Sequence, residues 1–276
     1  MTVTTVNPAD AKSMSPAAPK KKRQSRRALY LNIIGIGGFI GLWQGLAMAG
    51  LVNSFLLPSP AAVLVALWEM AVDGSLWVNL AASLKRVVVG YLMACVVGLS
   101  LGFLCGSSKT LAELVRPIVE ALRPIPPLAW VPIAILWFGL GDMSAYFLVF
   151  LGCVFPLFFG AYTAVRSIDR NQINAAMCLG ASRSLLFRKV LIPASLPIMM
   201  PNLRLALGIG WMCVVTAELI AAQTGLGYLI QQSRMLFQIQ NVVAGMVAIG
   251  FVGYVMSAAV ERLERRVNAW APSERG

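Results

Sequence analysis

Residues Val87 to Gly106 read VVVGYLMACVVGLSLGFLCG, twenty residues without a charged side chain. As a helix such a run rises about 30 Å, the thickness of a bilayer's hydrocarbon core. Five further apolar blocks of similar length follow from the same reading: Leu29 to Gly50, Ile118 to Leu140, Ala145 to Val165, Leu196 to Ala222 and Val242 to Val260. The expected fold is therefore all-α, a polytopic membrane bundle of about six transmembrane helices. Composition agrees, because 58% of the 276 residues are apolar and 12% are charged, against about 25% charged in soluble domains.

The charges between the blocks give an orientation. Loops that stay in the cytoplasm carry the excess of Lys and Arg. Here the basic residues gather in the N-terminal tail, at Lys109 and Arg116, at Arg166, Arg170, Arg183, Arg188 and Lys189, and at Arg262, Arg265 and Arg266 near the C-terminus. These segments alternate as one side, so both termini are expected in the cytoplasm. The opposite loops hold Glu69, Asp73, Lys85 and Arg86, then Asp142, then Arg234. The run from Lys20 to Arg27 also resembles a nucleic-acid-binding tract, but it abuts an apolar block, where it serves to fix topology. No nucleic-acid partner is expected, and membrane lipid is. A cleaved signal peptide would place its site near Ala47 and Ala49, yet the apolar run exceeds the usual 7–15 residues of such a segment.

Domain organisation follows. Residues 1–28, rich in Ala, Ser, Pro and Lys, read as a disordered tail; residues 29–266 form the membrane domain; 267–276 are a short C-terminal tail. The stretch from Ala61 to Leu84 is amphipathic and is expected along the outer surface. Small residues recur at four-residue spacing at Gly37, Gly41, Gly45 and Ala49, and again at Gly90, Ala94, Gly98, Gly102 and Gly106. Such stripes let helices approach closely in lipid, within one subunit or across a dimer.

Catalysis finds no support. Histidine is absent, the five cysteines form no CxxC pair, and neither an active site, a metal site nor a cofactor is expected. Gly106 to Thr110 reads GSSKT, without the spaced glycines that wrap a nucleotide phosphate. Any ATP is hydrolysed by a partner.

Two regions carry candidate function. Pro124, Pro126, Pro127 and Pro132 crowd the third block and interrupt its helix; broken helix at membrane depth is tolerated where it is buried in protein or lines an aqueous cavity. Pro126, Pro127 and Trp130 on this block, with Trp211, Thr216 and Glu218 on the fifth, are the candidate translocation pathway. Arg204 and Glu218 share a face of the fifth block about 21 Å apart, too far to pair. Arg204 is expected to snorkel to the interface or the cytoplasmic loop. Glu218 needs a donor; a hydrogen bond between helices is favoured over contact with the ammonium of a zwitterionic solute.

The second region is the loop 169–193. Ile173, Ala176, Met177 and Gly180 follow the i, i+3, i+4, i+7 spacing of an amphipathic helix that Gly180 stops. Ser182 reads as the N-cap of a second short helix ending at Pro193.

Asn174-Ala175-Ala176, then Gly180, then Val190-Leu191-Ile192-Pro193 resembles the EAA–G–I-x-LP loop of binding-protein-dependent ABC importer permeases, with Asn174 at the position usually held by glutamate. The stretches Leu56 to Pro60, Arg123 to Pro132, Trp137 to Gly139 and Ala217 to Ala222 are similar to the taurine, alkanesulfonate and nitrate branch, the taurine permeases above all. The resemblance implies the type I importer permease fold and a permease homodimer in a bacterial inner membrane. Its implied partners are two cytoplasmic ATP-binding subunits and an extracytoplasmic solute-binding protein. It also implies that Asn174, Ala175, Ala176, Gly180, Ala181, Ser182, Arg183 and Pro193 couple the permease to the ATPase. An ion-gradient-driven secondary transporter with Glu218 as its ion site is the competing function.

Overall fold

A computed structural model describes residues 21–49 and 57–267. The chain divides into two compact units at Pro60 and Ala61, described separately. In the first, α1 (Lys21–Met48) contains the expected first span from Leu29 onward, up to its last turn. It also takes in Lys21 to Ala28, expected in the disordered tail; Lys, Arg, Gln and Ala are good helix formers. Its Trp43 Nε1 donates to Pro58 O at 3.1 Å. Residues 1–20, Gly50 and the C-terminal tail beyond Val267 lie outside the described residues.

The second unit is helical throughout its described residues: α2 (Pro60–Val72), α3 (Ser75–Ala94), α4 (Ser100–Ser107), α5 (Lys109–Leu122), α6 (Val131–Phe138), α7 (Asp142–Arg166), α8 (Arg170–Cys178), α9 (Arg183–Leu186), α10 (Ile192–Ala221), α11 (Leu226–Met235) and α12 (Ile239–Val267). A π-helical turn at Cys95–Leu99 joins α3 to α4 without a break, and another at Phe187–Leu191 joins α9 to α10. Among the described residues four helices are long and apolar enough to cross a membrane, at Ser75–Ser107, Asp142–Arg166, Ser184–Ala221 and Ile239–Arg266, and the bent pair Lys109–Leu122 and Pro127–Phe138 makes five if it is one span.

The third block breaks where its prolines crowd, into α5 and a second piece, Pro127–Phe138, bent by 84°. Pro124 and Pro126 lie in the break and Pro127 opens the second piece with a 3-10 turn, Pro127–Trp130; none of them supplies a backbone donor. Two expectations are corrected. The amphipathic stretch is not one surface element: α2 ends at Val72, Gly74 turns the chain at φ +84°, and Ser75 starts the helix that becomes the second span. Lys85 and Arg86, which seemed to end that span, lie inside it because carboxylates meet them. Finally, Pro193 does not end a helix. The π turn before it shifts the hydrogen-bond register, and the helix runs on as one piece to Ala221.

The glycine stripe of α3 and α4 sets the packing. A Cβ on Gly90 would meet Val149 Cβ at 2.6 Å, on Gly98 Leu157 Cβ at 3.0 Å, on Gly102 Ala161 Cβ at 2.7 Å, and on Gly106 Val165 Cβ at 2.8 Å. The separation in sequence is constant, so this helix and α7 run parallel with backbones in contact. The stripe therefore works within the subunit. It also fixes the path of the chain: Ser107 lies at one end of the bundle and Asp142 at the other, so α5 and α6 cross back between them despite their bend.

The central helix is α7, which packs on α3, α4, α6 and α10 and buries 56% of its apolar window, against 17% for α12. Val87, Ala94, Val149, Cys153, Leu157, Ala206 and Val214 form the core. Large side chains such as Val96, Phe251 and Tyr254 remain exposed, as expected where lipid is the solvent. α12 runs antiparallel to α10, since Trp211 Nε1 donates to Ile249 O at 3.2 Å and Arg204 Nη2 meets Glu261 at 3.2 Å. Arg204 thus pairs with α12 rather than with the cytoplasmic loop.

A measurable consequence concerns Gly102. Its Cβ would also stand 2.5 Å from Phe158 O, so Gly102→Val has to push two helices apart, at a cost of about 1–3 kcal/mol or more. Its melting midpoint in detergent is expected to fall well below that of the parent. Gly208→Ala, on α10 with nothing within 4 Å of the new methyl, should hold or raise the midpoint by removing backbone freedom from the unfolded chain.

Candidate functional site

At one end of the bundle, the α8 end, the loop between α7 and α10 forms a compact projection. Asp169 Oδ1 accepts from Asn171 N at 2.9 Å and caps α8. The helix stops at Gly180, φ +77°, where Gly180 N donates to Met177 O at 2.9 Å and Ala181 N to Ala176 O at 3.0 Å. This double closure is a Schellman motif, whose left-handed position glycine fills without strain. Ser182 Oγ then accepts from Leu185 N at 3.3 Å and caps α9, which Arg183 opens. The side chain of Arg183 lies outside the described residues.

The projection is fastened at its root and open at its tip. Ile173 and Phe187 pack against Val165, Ile168 and Leu191, and Phe187 meets Phe103 of α4 edge-on at 5.8 Å. Asn174, Ala175, Ser182, Met177 and Leu179 are exposed, with Leu179 at 89%; Ala176, Ala181 and Pro193 are half-buried. Met177 and Leu179 leave the tip of this loop apolar and open to solvent.

Beside the broken span lie two neighbouring clefts. One, of about 290 Å³, is lined by Pro126, Pro127, Val131, Leu148, Met212 and Thr216. The other, of about 280 Å³, is lined by Arg123, Phe155, Pro156, Phe159 and Asn202 among others, and both include Pro127 and Ile209. Pro126, Pro127 and Thr216 of the expected pathway therefore come together. Thr216 Oγ1 donates to Met212 O at 2.9 Å, so its lone pairs face the cleft as acceptors. The other pathway candidates lie elsewhere. Trp130 stands edge-on to Phe147 at 6.4 Å, and Trp211 is buried against Ile249 and Gly253 of α12.

Glu218 is buried at the opposite end, beside the N-terminus of α11. Its carboxylate accepts from Ser83 Oγ at 2.8 Å, from Arg86 Nη1 at 2.8 Å and from Gly227 N at 3.0 Å. Ser83 Oγ in turn accepts from Leu226 N at 2.9 Å, and Asn79 Oδ1 accepts from Gly225 N at 2.7 Å. Arg86 Nε donates to Asp142 Oδ1 at 2.8 Å, and its Nη1 and Nη2 to Thr224 O and Oγ1. Lys85 Nζ meets the other Asp142 oxygen at 3.0 Å. Two cations and two carboxylates thus close on one another, tying α3, α7 and α10 to the start of α11. A Cβ on Gly225, φ +119°, would lie 2.2 Å from the Glu218 carboxyl carbon, so only glycine fits where the loop wraps the charge.

Sequence reasoning found Glu218 but not its partners. Ser83 and Arg86, three apart on one helix face, were a readable signal just outside the expected start of the second span.

Comparison with known proteins agrees with the loop. Residues 98–270 match the family described as binding-protein-dependent transport system inner membrane component. The chain is 34% identical over 249 residues to the taurine transport system permease protein TauC of Escherichia coli, covering 88% of this chain and 90% of that one. It is 32% identical to the putative aliphatic sulfonates transport permease protein SsuC of Bacillus subtilis, with 96% of each chain covered. The bicarbonate transport system permease protein CmpB of Synechococcus elongatus is 31% identical, over 91% of this chain and 93% of that one. In fold, the chain is similar to a chain of the MetNI methionine ABC transporter in an inward-facing conformation, at TM-score 0.61 and 22% identity, covering 71% of this chain and 95% of that one.

Proposed function

We infer, for a chain that belongs to the binding-protein-dependent transport system inner membrane components and so is the permease subunit of an ATP-binding-cassette importer, that its cargo is a small sulfonate, taurine or a related anion. The chain is a multi-pass membrane protein and a transport subunit; ATP hydrolysis belongs to a partner ATPase, and a separate binding protein delivers the solute. The relatives named for taurine, aliphatic sulfonates and bicarbonate support the cargo class. Two copies of the permease, joined as a homodimer, work with two ATPase subunits in a bacterial inner membrane. The α8 end faces the cytoplasm, with both chain termini on that side, in keeping with Lys109, Arg166, Arg170 and Lys189 around that end.

The observation that carries the reading is the projection at α8. Its exposed Met177 and Leu179 form the coupling contact with the ATPase, and its root is packed on α4, α7 and the start of the 38-residue helix Ser184–Ala221. Movement of the ATPase surface is passed through that root to the clefts beside the broken span. Asn174, in place of a glutamate, leaves this contact without a carboxylate at that position. Pro126, Pro127 and Thr216 border the solute's route, with Trp130, Trp211 and Glu218 as its supporting frame.

The test is reconstitution of permease, ATPase and binding protein in vesicles. Uptake of radiolabelled taurine or ethanesulfonate is expected to require ATP and the binding protein, and the purified permease alone should hydrolyse no ATP. Uptake by the permease alone, driven by an ion gradient, would establish the secondary-transporter reading instead; the full set of donors on Glu218 argues against that carboxylate as a free ion site.

A further inference from the structure

Arg123 is a charge at an unusual place. It caps α5 at the bend of the broken span, and its guanidinium lies 5.0 Å from the centre of the Phe159 ring. Phe159 is seven residues from the end of α7 at Arg166, about 10 Å in from the α8 end by helix rise. Arg86 meets Asp142 and Glu218, and Arg204 meets Glu261; Arg166, in the last turn of α7, lies over the Tyr162 ring at 5.3 Å. Glu120, one turn before Arg123, is held by Arg116 at 2.6 Å. Among the described residues no carboxylate stands within ion-pair distance of Arg123, which is exposed and lines the second cleft.

A charged side chain at membrane depth faces a water-filled cavity or a partner and marks the path of a substrate or ion. Among the described residues that line the two neighbouring clefts, Arg123 is the one that carries a charge. Beside it Asn202 spends one amide hydrogen on Ile198 O at 3.2 Å and has a second to give. The rest of the lining, Pro127, Phe155 and Ile209 among it, is apolar. The Phe159 ring holds the guanidinium at the cleft wall by a cation–π contact, and a guanidinium so held carries several N–H donors in one plane. A planar fork of donors suits an oxyanion such as a sulfonate or carboxylate, which it can meet with two bonds at once.

We propose that Arg123 is the anion-selecting residue of the passage: the cleft at the bend receives the cargo's oxyanion head on the Arg123 guanidinium, helped by the Asn202 amide. This rests on the importer reading above and sharpens it, because it assigns charge selection to the permease itself and not to the binding protein alone.

The test compares Arg123→Gln and Arg123→Lys with the parent in the whole reconstituted importer, using ATP-driven uptake of radiolabelled taurine and ethanesulfonate. Co-purification with the ATPase and the melting midpoint of each variant are followed alongside. Loss of charge-assisted hydrogen bonds is worth at least about tenfold, so Arg123→Gln should lower uptake of both anions by that much with assembly intact. Arg123→Lys, which keeps the charge without the fork, should recover a clear part of it. Parent-like uptake by Arg123→Gln overturns the role of Arg123 and leaves the importer reading standing. Equal loss in both variants, or loss that tracks failed assembly, shows a structural clamp on Phe159 and likewise overturns it. A parent complex that assembles and takes up neither anion overturns the cargo reading and this proposal together.

Discussion

Arg86→Met is expected to be among the most damaging single substitutions in the chain, lowering stability by about 3–5 kcal/mol, the usual cost of leaving a buried charge without its partner. Two carboxylates lose their shared cation. Glu218 is buried and keeps only Ser83 and Gly227 as donors; Asp142 keeps the more exposed Lys85. Thr224 O and Oγ1 lose their donors too. In detergent the melting midpoint should fall sharply, and the α11 segment should become the first site of proteolysis.

Glu218→Gln is the informative second variant, because a neutral amide removes the buried negative charge while keeping the shape. Alone it should destabilise less than Arg86→Met, since Asp142 still partners the arginine. Combined with Arg86→Met it should restore part of the lost midpoint, because no uncompensated charge then remains at position 218. A double-mutant cycle would report coupling well above the 0.3–0.5 kcal/mol scatter of independent sites. Strict additivity, or an unchanged midpoint for Arg86→Met, would mean that the four charges do not act as a unit.

The network explains why the sequence was partly legible here. Glu218 announced itself as a charge in an apolar block, and its need for a donor was readable from the cost of burial. Its partners were not, because Ser83 and Arg86 lie more than 130 residues away and local pattern carries no information about such pairing. The same blindness moved the start of the second span. Lys85 and Arg86 looked like the water-facing edge of the block, whereas paired charges are admitted well inside a helix. The glycine stripe was legible for the opposite reason: a four-residue spacing is local, and the close approach it permits needs only one partner helix. What it could not reveal was that the partner is α7 of the same chain.

Proline told half of its story. Four prolines in one block forecast a break, yet not that α5 and α6 would meet at 84°. Pro193, by contrast, looked like a helix stop because a missing N–H ordinarily ends a helix. The preceding π turn absorbs the loss, and the consequence is mechanical. A single helix then runs from Ser184, at the root of the projection, to Ala221, beside Glu218, about 57 Å by helix rise. On the proposed coupling role of the projection, a push on α8 would reach a rod whose far end is held by the charge network and whose middle lines both clefts.

Gly180→Val should abolish transport while leaving the bundle standing. The backbone there is left-handed at φ +77°, which costs a residue with a Cβ about 1–2 kcal/mol and a β-branched one more. Among the described residues nothing lies within 4 Å of the added Cβ, so the described fold has no clash to relieve. The damage falls on the turn that sets α8 against α9 and on the surface offered to the ATPase. ATP-driven uptake is expected to drop by more than about tenfold, with ATPase stimulation by loaded binding protein falling in parallel, since a misdirected contact loses the 1.4 kcal/mol that each factor of ten represents. The melting midpoint of the isolated permease should fall less than for Gly102→Val, because an exposed turn can relieve its strain by local unravelling without separating packed helices. Gly180→Asn separates backbone from surface: asparagine tolerates the left-handed region, so its turn should form and any remaining defect measures the bulk presented to the partner. Parent-like uptake by Gly180→Val with the ATPase still bound would remove the projection from the coupling path, and force would then have to enter the bundle elsewhere.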